Sequence, residues 1–373
     1  MASSRLTILL SGMIAGVPGH GGATWAMLQY LLGFLRLGHD VLFVEPVDEL
    51  GPATVSYFHK VAAEYGLEGS AALVRAGTRE TSGMEYARVA ERARGADVLV
   101  NVSGMLADEE LTAPITTRVY LDLDPAFNQL WHDAEGIDVG FGRHTHFVTV
   151  GEAIGRADCP VPTCGREWIG TPQPVVLERW PVADGIVHDG LTTVANWRGY
   201  GSIEHNGVFY GQKAHAFREF FSLPTLTDEA FIVGLAIHPD ERKDLDALSA
   251  NGWRLLDPAE VASTPARYHA FVQGSKAELG IAKSGYVASR CGWFSDRSVC
   301  YLASGRPVLA QETGFSSFVP TGEGLFAFET TDDVLGGIEE LRRDYEGHRR
   351  AARALAEEVF DSDKVLTRLL ACL

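Results

Sequence analysis

The sequence predicts an α/β protein built from two Rossmann-like domains that face a central cleft. Three observations predict it. At roughly 100–200 residues per domain, the 373-residue length points to two domains. Short apolar runs rich in Val, Ile and Leu recur in two series, as expected for strands buried on both faces. Helix-like stretches separate the runs, which implies right-handed βαβ units and parallel sheets. With 46% hydrophobic and 22% charged residues, the chain reads as globular rather than disordered, collagenous or coiled-coil.

The first series is Leu6–Leu10, Asp40–Glu45, Asp97–Val102, Arg118–Asp122 and His146–Val150. Leu6–Val17 follows Arg5 and resembles the apolar core of a signal peptide. Ser11, Gly12 and the Gly/His loop beyond favour a buried first strand instead. Trp25–Leu37 predicts a helix that is apolar nearly all round. Gln29, Gly33 and Arg36 interrupt it on one narrow face, and Gly38-His39 ends it. Pro160, Pro162, Pro172, Pro174 and Pro181 mark an irregular junction, and the boundary is expected near Gly190. The second series is Leu191–Asn196, Phe231–Leu235, Arg254–Asp257, Glu278–Lys283 and Arg306–Ala310. Lys213–Phe221 predicts a helix with Phe217, Phe220 and Phe221 inward. Asp296–Ala303 predicts another, stopped at Gly305. Ala351, Leu355 and Val359 predict an amphipathic terminal helix. The expected domains are 1–190, 191–345 and a terminal helix over 346–373.

Charge and cysteine usage narrow the partners. With 32 Lys and Arg against 49 Asp and Glu, the net charge is −17. That argues against nucleic acid or an anionic membrane as the main partner, though one local basic pocket for a phosphorylated ligand remains compatible. Cys159, Cys164, Cys291, Cys300 and Cys372 form no C-x-x-C pair or ligand-spaced cluster. Zinc and a disulfide framework are therefore not expected, and free thiols suit a reducing, cytoplasmic setting. No apolar run is long enough to predict a membrane span.

Ligands of open α/β sheets bind beyond the carboxyl ends of the strands, so the loops there hold the candidate residues. The first is Gly16-Val17-Pro18-Gly19-His20-Gly21-Gly22, whose glycines permit close backbone approach to a ligand. It lacks both the G-x-G-x-x-G spacing and the Lys-Ser/Thr of a P-loop, which disfavours NAD and ATP chemistry. His20 is a candidate general base or a locally bonded loop histidine. Asp122 and Asp124 end a strand, and either orients a ligand or caps the chain from Pro125. His144 and His146 lack a third metal ligand, which points to core or surface roles. In the second half, Arg198 and Lys213 either clamp a diphosphate or are solvated charges. Lys283 opens the longest constellation. The amides at its Asp296 helix, with Ser295 and Arg297, suit hydroxyls or phosphate, and Glu312-Thr313-Gly314 suits a second phosphate contact. Trp197 and Trp293 either stack on a ligand or pack.

The helix followed by Ala303-Ser304-Gly305-Arg306-Pro307-Val308, a strand and a Gly loop resembles the donor half of GT-B glycosyltransferases. Gly21-Gly22 before an apolar helix, then Gly38-His39-Asp40-Val41, is similar to their first domain. The resemblance covers nearly the whole chain. It implies a nucleoside-diphosphate-sugar donor in the second domain, on Arg198, Lys213, Lys283, Ser295, Asp296, Arg297, Glu312, Thr313 and Gly314. It further implies an acceptor in the first domain with His20, Asp122, Asp124, Gly21 and Gly22, no metal or other cofactor, and a terminal helix that crosses back to the first domain. Two family glutamates are replaced by Gly292 and Cys300, with Asp296 or Glu312 as substitutes. Cys291-Gly292-Trp293 echoes an inverting branch that carries a histidine where His20 stands, so inversion is expected. A nucleotide-sugar epimerase or hydrolase and a non-catalytic nucleotide-sugar binding protein remain as alternatives.

Overall fold

A computed structural model describes residues 5–373. The first lobe holds β1 (Thr7–Ser11), β2 (Asp40–Val47), β3 (Ala71–Arg75), β4 (Thr81–Gly83), β5 (Val98–Val102), β6 (Thr117–Asp122), β7 (His146–Thr149) and β8 (Trp168–Gly170). Their order is β4-β3-β2-β1-β5-β6-β7-β8, parallel throughout except for the β3–β4 edge. The second lobe holds β9 (His188–Asn196), a hairpin of β10 (Ile203–His205) and β11 (Val208–Tyr210), then β12 (Phe231–Ala236), β13 (Arg254–Leu256), β14 (Ser275–Gly280), β15 (Val308–Gln311) and β16 (Leu325–Phe328). Its sheet runs β13-β12-β9-β14-β15-β16, all parallel. The sheets are separate, and both reverse direction beside their first strand, at β1/β5 and β9/β14. Each reversal opens a crevice at the carboxyl ends of the strands.

The apolar runs form strands because both of their faces are covered. Ile8, Leu9 and Leu10 are fully buried between β2 and β5. The run Glu278–Lys283 is shifted relative to its strand. β14 ends at Gly280, and the amide of Ala282 leaves the ladder for the side chain of Gln311, at 3.1 Å. Of the unexpected strands, β4, β8 and the two of the hairpin have three residues each, too few to carry a pattern, whereas β3 and β16 are as long as strands that were expected.

The first helix, Gly21–Arg36, begins four residues before Trp25. Its interrupting face joins distant segments. Gln29 Oε1 accepts from the amide of Val176 at 2.8 Å, and Arg36 pairs with Asp363 at 2.9 Å and with Glu178. A Cβ on Gly33 would stand 2.5 Å from Leu366 and 3.2 Å from Ser362, so only glycine admits the terminal helix. That terminus is not one helix. Tyr345–Leu355 packs on Asp296–Ala303, a π turn covers Ala356–Phe360, and Ser362–Ala371 then crosses onto the first helix. Asp361 caps the last piece through the amide of Asp363 and bridges to Val175. Gly190 lies inside β9, so the chain changes lobes within 171–187 rather than at the expected boundary. No helix among the described residues is long and apolar enough to cross a membrane.

Candidate functional site

A cleft of about 780 Å³ lies between the lobes, lined by the loops after β1, β6, β9, β12 and β14 and by the start of the Asp296–Ala303 helix. In the first lobe, the loop after β1 is fixed by a buried carboxylate. Glu45 on β2 accepts from the amides of Ile14 (3.0 Å), Ala15 (2.9 Å) and Gly16 (2.5 Å). Burial pushes its pKa up, and these three bonds oppose the shift. The amides at the start of the Gly-rich loop are thus spent within the lobe. The amide of Gly21 is spent too, on the carbonyl of Ala262 at 2.7 Å. A Cβ on Gly21 would overlap the Thr264 carbonyl, and one on Gly22 would press on the ring of Tyr268 at 3.0 Å. These glycines let the two lobes touch rather than cradle a phosphate. His20 precedes the helix, is exposed, and lines the cleft.

The two carboxylates after β6 part company. Asp122 is fully buried and accepts from Asn128 (2.7 Å), Gln129 (2.7 Å) and Thr149 (2.8 Å). Burial raises its pKa to about 6, and the bonds from Gln129, Asn128 and Thr149 restrain the rise. It holds the loop and does not reach the cleft. Asp124 does line the cleft, and it pairs with Lys283 of the other lobe at 3.0 Å.

Three cations of the second lobe converge on the same space. Arg297 pairs with buried Glu278 at 2.5 Å and donates to the carbonyl of Val194 at 3.1 Å. Lys283 is the partner of Asp124. Lys213 donates to the carbonyl of Ile281, and it pairs with no carboxylate among the described residues. Burial, then Arg297 and Lys283, hold its pKa well below the usual lysine value. At the adjoining helix start, Ser295 Oγ caps the amide of Arg297 at 3.2 Å. Asp296 also lines the cleft, its pKa raised by burial against the pull of Arg297. The arrangement can bind a compact, multiply charged anion.

Four expected donor contacts lie elsewhere. Arg198 turns away to pair with Glu241. Glu312 accepts from the amide of Gly314, Thr313 donates to the carbonyl of Trp293, and a Cβ on Gly314 would stand 2.6 Å from the Arg290 carbonyl. These three residues brace the Arg290–Trp293 loop from behind. His144 is a core histidine, bonded to Asn101 at 3.0 Å and to the Gly140 carbonyl at 2.8 Å. Trp197 is buried and donates to Asp244 at 2.9 Å, whereas Trp293 lines the cleft and stacks on Tyr286 at 4.4 Å. Tyr200, Tyr286 and Glu45 escaped the sequence reading. Tyr200 follows Arg198 by two positions in the loop after β9, and Tyr286 follows Lys283 by three, so strand-end position was the available signal.

No protein-family model and no curated protein sequence matches the chain. Solved structures do. An α-glucosyltransferase in complex with UDP-glucose and DNA containing an abasic site superposes with TM-score 0.65 at 14% identity, over 99% of this chain and 98% of its own. Anabaena HepE in complex with UDP and glucose superposes at 0.59 and 11%, over 99% of this chain and 100% of its own. The fold is GT-B. The terminal crossing belongs to that fold in this chain. At the positions of the two family glutamates the packing differs: Gly292, at φ +79°, would put a Cβ 2.8 Å from the amide of Ala153, leaving no room for a glutamate. Cys300 is buried against Gln29, at 3.6 Å. Of the two suggested substitutes, only Asp296 reaches the cleft. The argument from net charge against nucleic acid is overturned. Neighbours with this GT-B fold are solved with DNA, including one with UDP and a 13-mer containing an A:G mismatch. A whole-molecule charge does not describe the field at one face of a two-lobed protein.

Proposed function

We propose that this chain is a glycosyltransferase that moves a sugar from a nucleoside-diphosphate sugar to an acceptor hydroxyl or nitrogen. The observation that carries the reading is the convergence of Lys213, Lys283 and Arg297 on one cleft, opposite His20 and Asp124. Three cations and a helix N-terminus stabilise the diphosphate as it leaves with growing negative charge. They supply positive charge that a divalent ion would otherwise bring, so transfer is metal-independent and survives excess chelator. The donor occupies the lobe from β9 onward and the acceptor the lobe that ends with β8. His20 takes the acceptor proton, and in-line attack inverts the anomeric carbon. Closure of the lobes keeps water from the donor. Some of the neighbours are named α-glucosyltransferases, which favours a second reading in which the configuration of an α-linked donor is retained. The anomeric coupling of the product by NMR separates the two.

UDP-glucose is the first donor to try, since neighbours are solved with it, and DNA belongs in the acceptor panel. Calorimetric titration of UDP, UDP-glucose and uridine into wild type and Lys213→Met tests the donor site. Methionine keeps the length of the side chain and removes the charge together with the bond to the Ile281 carbonyl. UDP should bind wild type, the variant should lose about tenfold or more, and uridine should be indifferent. Equal loss for UDP and uridine, or no binding by any nucleotide sugar of a broad panel, would overturn the reading. Hydrolysis or epimerisation of donor without acceptor would identify the alternative enzyme.

A further inference from the structure

Asp124 is held by more than Lys283. Tyr200 and Tyr286 each donate a phenolic hydrogen bond to its carboxylate, and Lys283 donates to both its oxygens at 3.0 and 3.2 Å. Lys283 also donates to the hydroxyls of Tyr200 and Tyr286. Burial first, then Asp124, pushes both phenols above their ordinary pKa, so they remain donors. The ammonium of Lys283 lies in an aromatic cage made by both lobes. Its Nζ lies 4.2 Å from the centre of the Tyr200 ring, 5.1 Å from that of Tyr286 and 5.1 Å from that of Phe127. Asp124 and Phe127 come from the first lobe, and Lys283, Tyr200 and Tyr286 from the second. The lobes are therefore joined across the cleft by one acidic group whose donors all come from the opposite side.

Lys213 and Arg297 line the same cleft, and Lys213 feels the charge of Lys283. An anion that brings together these three cations competes with Asp124 for Lys283. We propose that Asp124 is a stand-in for the donor diphosphate: it occupies Lys283 in the empty protein, and the donor displaces it. The exchange sets an order. Until the donor arrives, the Asp124 carboxylate is saturated by three donors and cannot accept a hydrogen bond from an acceptor hydroxyl. Once Lys283 turns to phosphate, each oxygen of the carboxylate regains an acceptor position, in the cleft that His20 also lines. Donor binds first and acceptor second, with Tyr200 and Tyr286 as positioning residues that keep the freed carboxylate in place.

This inference rests on the diphosphate reading of the cleft, and the test separates the two. UDP and uridine are titrated into wild type, Asp124→Asn, Lys283→Met and the double variant, each first checked for an unchanged melting transition. Removing the stand-in anion should tighten UDP by about three- to tenfold, leave uridine unchanged, and have no effect on UDP in the Lys283→Met background. If wild type binds UDP but Asp124→Asn binds it equally or more weakly, the stand-in role is wrong while the donor site stands. If Asp124→Asn tightens UDP equally with Lys283 absent, the competition is not for Lys283 and the proposal also falls. If wild type binds neither UDP nor any other nucleoside diphosphate, the underlying reading fails. Should Asp124→Asn melt early, Asp124→Ser removes the same charge with a smaller side chain and should tighten UDP in the same direction, measured below its melting transition; no tightening overturns the proposal.

Discussion

At the scale of single residues, the site is governed by which charges have partners. Glu278 neutralises Arg297 and Asp124 neutralises Lys283, while Lys213 has only a carbonyl among the described residues. A buried ammonium beside two other cations loses its proton readily. A bound diphosphate reverses that, because it favours the charged form. Binding must therefore take up protons wherever free Lys213 is partly neutral, and affinity should fall as pH rises through that range. Titrating UDP over a pH series, at each pH in two buffers of different ionisation heat, measures it. Net proton uptake is expected in wild type and none in Lys213→Met; identical uptake in both would exclude Lys213 as its source. The residue types of this cluster were legible in the sequence, as Lys213, Lys283 and Arg297 all stand near strand ends. Their pairing was not. Arg198 also stands at a strand end, yet Glu241, 43 residues away in the chain, captures it.

At the scale of elements, the first helix does two jobs with two faces. Its apolar face fills the first lobe, and its face of Gln29, Gly33 and Arg36 receives the interlobe segment and the terminal helix. Gly33→Val should drive methyl groups into Leu366 and Ser362 and cost about 1–3 kcal/mol of stability. Hydrogen exchange should rise selectively over Ser362–Ala371, and Leu366→Ala in the same chain should restore part of the loss. Unchanged melting and exchange in Gly33→Val would mean that the terminal helix does not depend on this contact. The spacing of those three residues was visible from sequence as an interruption in an apolar helix. What the interruption faced was not, because the partners lie more than 140 residues further along.

At the scale of the whole molecule, the lobes meet through backbone as well as side chains. Gly151 bridges to Trp293, and the amide of Ala153 donates to the carbonyl of Cys291 at 2.9 Å. Glu152 sits between these two contacts. Burial raises its pKa from 4.5 to about 7, with Arg368 and Arg156 opposing the shift. A carboxyl whose folded pKa is raised binds its proton more tightly in the native state. It therefore costs stability progressively as pH rises from about 4.5 to 7, and the cost levels off above that. Glu152→Gln removes the charge, so the variant should be more stable than wild type by about 2 kcal/mol at pH 8 and nearly equal to it at pH 5. Asp122 titrates in the same window in both proteins, so the difference isolates Glu152. Urea unfolding at the two pH values gives the comparison, and an equal difference at both would exclude its titration.

The sequence alone determined the two-lobed parallel architecture, because strands buried on both faces leave continuous apolar runs and the helices between them leave a 3.6-residue period. It also determined the Asp296–Ala303 helix, since its Ser295 cap and Gly305 stop are local chemistry. Only the tertiary structure decided which strand-end residues share the cleft. Asp122 and Asp124 are two residues apart, yet one is sealed in the core and the other reaches across to Lys283, 159 residues away. Local pattern records which face a side chain takes on its own element. Which charge it meets depends on how two separately folded sheets are set against each other, and no short-range period encodes that.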